Sequence, residues 1–209
     1  MDSVIFDLDG TLWDATEAFY ICWNEAFLKY DETKNGMSLE EIKNVMGMTM
    51  DDILEKFFPQ LSEELRKDVI DECTKIELKY LSKNGGKLYP ELESTIKELS
   101  KKYRLFIVSN CVNGYIQCFL EAHNLKKYFI DFEDPSRTGL EKAENIKIVI
   151  KRNKLIKPAY VGDTKWDAIA SDKAGVPFIY ASYGFGDLDK YDYKIDNLKE
   201  LLNITNIKG

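Results

Sequence analysis

Two aspartates separated by one residue stand near the start of the chain, in Asp7-Leu8-Asp9-Gly10-Thr11. They follow a short apolar run, Ser3 to Phe6, that reads as a buried strand breaking into a glycine turn. Residues i and i+2 of a strand point to the same side, so both carboxylates converge where the strand ends. Open α/β sheets bind their ligands at the carboxyl ends of strands. Close carboxylates repel, and the repulsion can divide them into an ionised group and a protonated one. Taken alone, the pair leaves three readings open: catalysis, a metal site, or a structural pair.

Other polar residues fall where later strands stop. Ser109 closes the apolar run Arg104 to Val108, in Val108-Ser109-Asn110. Gly162-Asp163-Thr164-Lys165-Trp166-Asp167 follows the run Ala159 to Val161. Lys142 precedes a helical stretch, Glu144 to Asn153. By itself Ser109 reads as an ordinary strand-ending or capping serine. Lys142 by itself is one of 29 cationic residues and reads as a surface lysine, with Arg137 and Lys147 as nearby competitors. Asp167 lies four residues after Asp163 at a helix start. It can share the face of Asp163, or simply answer the positive end of the helix dipole.

The elements that must position these residues can be read from periodicity. After the first strand the chain turns helical, from Thr16 to about Lys83. Ser38 with Glu41 forms a capping-box pattern, and Thr49 with Asp52 a weaker one. Ser62 is the expected cap of a helix whose Leu65, Val69, Cys73, Ile76 and Tyr80 recur at helical spacing, and Asn84-Gly85-Gly86 stops it. Beyond Pro90, helices and strands alternate. Helices are expected near Leu92 to Lys101 and Asn113 to Asn124, and from the GDTKWD segment to Ala174. Strands are expected near Ile130 to Phe132 and Phe178 to Ala181, with Glu133 to Glu141 a polar loop. This alternation predicts an α/β fold, a Rossmann-like parallel sheet covered on both faces, with an inserted all-α cap. Residues 1–14 and 88–209 form the expected core and residues 15–87 the expected helical cap.

Composition narrows the function classes. The chain has 209 residues, 44% hydrophobic and 31% charged, with a net charge of −7. Such an acid balance disfavours nucleic acid as a partner. No stretch approaches the ~20 apolar residues of a membrane span, and the first residues lack the pattern of a secretory signal. Cys22, Cys73, Cys111 and Cys118 show no metal-finger spacing and read as reduced core thiols, which points to the cytoplasm. His123 is the single histidine, which weakens any Ser-His-Asp reading.

DLDGTL after an N-terminal apolar strand resembles the opening DxDGT motif of the haloacid dehalogenase-like hydrolases. Ser109, Lys142 and Gly162–Asp167 then resemble that family's later motifs, in order and in place, over essentially the whole chain. The lysine motif, often written Gly-Lys-Pro, departs from the pattern here: the chain has Leu140-Glu141-Lys142-Ala143. The resemblance is to the phosphoglycolate phosphatase and β-phosphoglucomutase-like branch. It implies that Asp7 attacks phosphorus, that Asp9 serves as acid and then base, and that Ser109 and Lys142 bind or neutralise the phosphate. Gly10, Thr11 and Asn110 would add donors around it. An anionic nucleophile and an anionic phosphate call for a divalent ion, and Mg²⁺ suits oxygen ligands. The resemblance places Asp7, the Asp9 carbonyl and Asp163 on that ion, with Asp167 beside them or behind.

The cap is expected to choose the substrate. Lys43 lies where related caps carry a cation facing the site. Met46, Met48, Thr49 and Met50 read as ordinary packing, and Tyr183-Gly184-Phe185-Gly186 reads as a turn. The implied function is hydrolysis of a small phosphorylated metabolite such as phosphoglycolate, a sugar phosphate or a nucleotide monophosphate, by a monomer or weak homodimer. A β-phosphoglucomutase-type mutase is the alternative, and a non-catalytic phosphometabolite-binding protein a more distant one. Dehalogenation is disfavoured, because it needs neither an acid at Asp9 nor a metal.

Overall fold

The computed structural model describes residues 1–204. Its centre is a six-stranded sheet in the order β5-β4-β1-β6-β7-β8, parallel throughout. The strands are β1 (Ser3–Phe6), β4 (Arg104–Val108), β5 (Phe129–Glu133), β6 (Pro158–Gly162), β7 (Phe178–Ala181) and β8 (Tyr193–Ile195). All four β1 residues are buried, as a parallel strand covered on both faces requires. β1 pairs with β4 on one side, Phe6 against Ile107, and with β6 on the other, Phe6 against Val161. The chain therefore reverses its direction of strand addition beside β1, the kind of switch point at which such sheets open a crevice. The adjacent strands β4, β1 and β6 end next to one another, so Ser109, Asp7 and Asp163 are brought together by register.

Helices cover the two faces: α5 (Leu92–Leu99), α6 (Tyr115–Ala122), α8 (Lys142–Asn153) and α9 (Lys165–Ala174). Four more, α1 (Thr16–Phe27), α2 (Leu39–Lys43), α3 (Met50–Phe57) and α4 (Glu63–Asn84), follow one another without an intervening strand. Their starts obey the capping chemistry expected of them. Ser38 and Glu41 close a reciprocal capping box on α2, and the Thr49 and Ser62 side chains accept from Asp52 and Leu65 N–H groups. Gly85, at φ +65°, ends α4. The residues that α4 buries are Val69, Cys73, Glu77 and Leu81, so its inward stripe is displaced by one residue from Ile76 and Tyr80.

Entry to and exit from the helical segment run side by side. β2 (Trp13–Asp14) pairs antiparallel with β3 (Lys87–Leu88), a two-strand neck. Two-residue strands carry no periodic signal, which is why they were not legible in the sequence. β8 and the short helix α7 (Pro135–Thr138), which lies within the expected polar loop, were also missed; at three and four residues both are too short to show a period. Residues 205–209, the end of the expected second core segment, lie outside the described residues.

His123 is half-buried against the core, with its ring edge-on to Trp13 at 5.6 Å between centroids, and burial pulls its pKa down. All four cysteines are free, Cys22 and Cys73 fully buried. Among the described residues no helix is long and apolar enough to cross a membrane.

Candidate active site

Asp7 leaves β1 almost wholly buried, its backbone N–H donating to the Val161 carbonyl at 2.8 Å. Lys142, at the first turn of α8 and 5% exposed, donates to Asp7 Oδ1 at 2.9 Å and to Asp167 Oδ1 at 2.7 Å. The rival cations lie elsewhere. Arg137 donates to the Phe132 carbonyl, and Lys147 pairs with Glu144 on an exposed face. Burial raises the Asp7 carboxyl to about 6, and Asp167 adds to the rise, while Lys142 and Ser109 pull it down. A buried ion pair survives only where partners compensate the lost hydration, and here one ammonium serves two carboxylates.

Asp9 differs from its neighbour in surroundings rather than in type. Its Oδ1 accepts from the Tyr115 hydroxyl at 2.7 Å, and no lysine reaches it among the described residues. Burial holds its carboxyl well above the usual range, with the charges of Asp7 and Glu77 adding to the rise and Tyr115 opposing it. The two aspartates thus sit in environments that separate their protonation states, one beside a cation and one beside a phenol.

Asp163, at the end of β6, completes the acidic group. One carboxylate oxygen from each of Asp7, Asp163 and Asp167 lies within 4.8 Å of the others, all three residues buried. Burial first, then Asp167 and Asp7, push the Asp163 carboxyl well above its ordinary value. An all-oxygen set of buried acids with a single lysine suits a hard divalent cation. The three do not offer equal capacity. Asp167 Oδ1 already accepts from Lys142 and from the Tyr160 hydroxyl, and Oδ2 from the backbone N–H and hydroxyl of Thr164. Those bonds hold its carboxyl below the ordinary value against the effect of burial, with Lys142 the largest of the opposing influences. Asp7 and Asp163 are the better placed to take an ion, with Asp167 anchoring Lys142.

The loop after β7 turns out to be part of this group. The Phe185 backbone N–H donates to Asp163 Oδ2 at 2.7 Å, and the Tyr183 hydroxyl donates to the Thr11 carbonyl at 2.9 Å. A Cβ on Gly184 would collide with the Asp163 side chain and lie 2.5 Å from the Gly10 carbonyl oxygen. A Cβ on Gly10, at φ +81°, would likewise collide with the Asp163 carboxylate, and the Thr11 hydroxyl lies 3.4 Å from Asp163 Oδ1. Gly10 and Thr11 therefore pack against Asp163. The Asn110 amide donates to the Gly47 carbonyl at 3.1 Å and ties the end of β4 to the loop between α2 and α3.

Asp7, Asp9, Ser109 and Asn110 line one side of a cavity of about 210 Å³. Met46, Met48, Thr49 and Met50 line the other side along with Phe19, Trp23 and Glu77. The methionines thus face the cavity as well as packing. Lys43 does not. It is exposed at the end of α2 and borders a separate cleft with Trp166 and Phe185. Tyr115, Tyr160, Thr164 and Glu77 were missed in the sequence. Thr164 with Asp167 is a legible capping pattern, and Glu77 is a charged residue on an otherwise apolar helical stripe; the tyrosines gave no signal.

A family model described as haloacid dehalogenase-like hydrolase matches residues 4–181. The chain belongs to the haloacid dehalogenase-like hydrolase family. Within it the chain is similar to the phosphoglycolate-phosphatase-like branch. A phosphoglycolate phosphatase of Vibrio parahaemolyticus is 25% identical over 224 residues, covering 99% of this chain and 96% of its own. The pyrophosphatase PpaX of Halalkalibacterium halodurans is 23% identical, covering 100% and 99%. The fold also matches a haloacid dehalogenase-like hydrolase of Bacteroides fragilis with a TM-score of 0.86 at 24% identity, over 96% of this chain and all of that one.

Proposed function

We propose that this hydrolase is a magnesium-dependent phosphatase of small phosphate monoesters, with Asp7 as nucleophile and Asp9 as acid and base. The observation that carries the reading is the unequal environment of the two aspartates at one cavity wall: Asp7 paired to buried Lys142, Asp9 hydrogen-bonded to Tyr115 with its carboxyl raised by burial.

In the first step an Asp7 oxygen forms a bond to phosphorus and the bond to the ester oxygen breaks. The Asp9 proton passes to the departing alkoxide, giving a neutral alcohol and an aspartyl phosphate. In the second, Asp9, now ionised, takes a proton from a water that attacks phosphorus. Inorganic phosphate leaves, Asp7 is again a carboxylate and Asp9 again carries its proton. Lys142 keeps Asp7 ionised and oriented, and Asp167 holds Lys142. Ser109, at the end of the adjacent strand, is placed to meet a phosphate oxygen. A magnesium ion held by Asp7 and Asp163 would supply the positive charge that lets an anionic phosphate approach an anionic nucleophile.

Residues 15–87 act in this reading as the cap over the cavity, with Asn110 and Gly47 joining the two parts in the closed arrangement. Free thiols support placing the protein in a reducing compartment, the cytoplasm. A sugar phosphomutase would need to hold a second phosphate, and no lysine or arginine lines the cavity among the described residues.

The test is phosphate release from a panel of phosphate monoesters, with and without Mg²⁺, for the wild type and Asp7→Asn. Release that needs Mg²⁺ and falls at least ~10³-fold in Asp7→Asn is expected. Turnover that survives the substitution removes Asp7 as nucleophile.

A further inference from the structure

The cavity carries a buried acid that the reaction does not use. Glu77 comes from the middle of α4 and is 4% exposed. Among the described residues its one hydrogen bond is from the Trp23 indole N–H, at 2.8 Å to Oε2. No lysine, arginine or histidine pairs with it among the described residues. Buried carboxylates are rare unless paired, because removing the charge from water is costly and a neutral donor repays only part of that. A plain core position would be better filled by leucine or glutamine, yet this carboxylate sits where a ligand can reach it.

Its surroundings define what that ligand would be. Trp23 stacks on Phe19 at 4.7 Å between ring centroids, and Phe19 stacks on Tyr115 at 5.8 Å. The three rings form a row with Glu77 hydrogen-bonded at the Trp23 end and Asp9 at the Tyr115 end. The phosphate end and the carboxylate end are therefore separated by a short aromatic wall. Aromatic faces and a carboxylate both attract cations, ammonium groups especially. Asp51, the other acid on the lining, lies 3.6 Å from Arg66 and is partly neutralised.

We propose that the substrate is a phosphate monoester of an amino alcohol, whose ammonium group sits against Glu77 and the aromatic row while its phosphate meets Asp7. The proposal rests on the phosphatase reading above and sharpens its substrate class. A bound ammonium gives Glu77 the counter-charge it lacks. A substrate with a terminal carboxylate or a second phosphate would bring like charge to Glu77 with no cation to receive it, a penalty that discriminates by repulsion. On this reading the chain differs in substrate from the relatives named for phosphoglycolate.

The experiment compares kcat/KM for phosphoethanolamine and phosphocholine with that for uncharged propyl phosphate and for phosphoglycolate, in Mg²⁺, for the wild type and Glu77→Gln. Gln keeps the size and can still accept from Trp23. The wild type is expected to favour at least one amine ester over propyl phosphate by tenfold or more, and over phosphoglycolate by more still. In Glu77→Gln the ratio of amine ester to propyl phosphate is expected to fall at least tenfold, through KM. Equal use of propyl and amine esters by the wild type, or a preference for phosphoglycolate, overturns the proposal without needing the variant. An unchanged ratio in Glu77→Gln also overturns it. Failure to release phosphate from any of the four, in a protein that also leaves other monoesters intact, would instead count against the phosphatase reading.

Discussion

At the scale of single residues, the site is a problem in distributing few positive charges among many buried negative ones. Lys142 is shared by Asp7 and Asp167, Asp9 has a phenol, Asp163 a backbone N–H, and Glu77 an indole. Glu77 shows what such a position costs. Burial raises its carboxyl from 4.5 to about 7, against a smaller pull from Trp23. An acid whose pKa is raised by folding keeps its proton in the folded chain after the unfolded chain has lost it. Its contribution is therefore intact below about 4.5 and is lost as pH climbs to about 7. Glu77→Gln removes that loss. The substrate-free variant should match the wild type near pH 4.5 and exceed it at pH 8 by on the order of 3 kcal/mol. Denaturant melts at the two pH values check this, and a gain that does not grow with pH would show that Glu77 is compensated in the free protein.

Elements matter here by where they stop. β4, β1 and β6 are neighbours, so one crevice receives Ser109, Asp7 and Asp163 from their carboxyl ends. α9 begins at that crevice with Asp167 in its first turn, and the Thr164 capping box fixes the carboxylate that grips Lys142. The loop after β7 closes the remaining side. Gly184 leaves no room for a side chain beside Asp163 and the Gly10 carbonyl. Gly184→Ala should displace Asp163 and destabilise the fold by about 1–3 kcal/mol. More specifically, if Mg²⁺ binds as proposed and so raises the wild-type Tm, the substitution should shrink or abolish that rise, since a ligand of the folded state stabilises only as far as it binds. A wild-type-sized Mg²⁺ response in Gly184→Ala would mean that Asp163 is not held by this loop or does not hold the ion.

For the whole molecule, the sheet, its strand ends and the long helices were legible because apolar runs and capping residues report local physics. β1, β4 and β7 fall on the expected bounds. What was not legible depends on contacts across the chain. The two-residue strands β2 and β3 are stabilised by each other, and Tyr115 meets Asp9 across more than a hundred residues. Lys43 was expected at the site from its place in related caps, but α2 turns it to another cleft. Glu77 could have been noticed as a charge on the stripe Val69, Cys73, Leu81, although its meaning required Trp23 and Phe19 from α1.

The central claim is that the phosphoryl group passes through Asp7 and that Asp9 manages the protons. It is tested most directly by mixing Asp9→Asn with p-nitrophenyl phosphate and Mg²⁺, whose leaving group needs no proton, then quenching and mapping phosphorylated peptides by mass spectrometry. The account predicts a stoichiometric phosphoryl adduct on Asp7, absent in Asp7→Asn, because the base that activates water for the second step is gone. Continued turnover by Asp9→Asn without an adduct, or an adduct on any other residue, would contradict it.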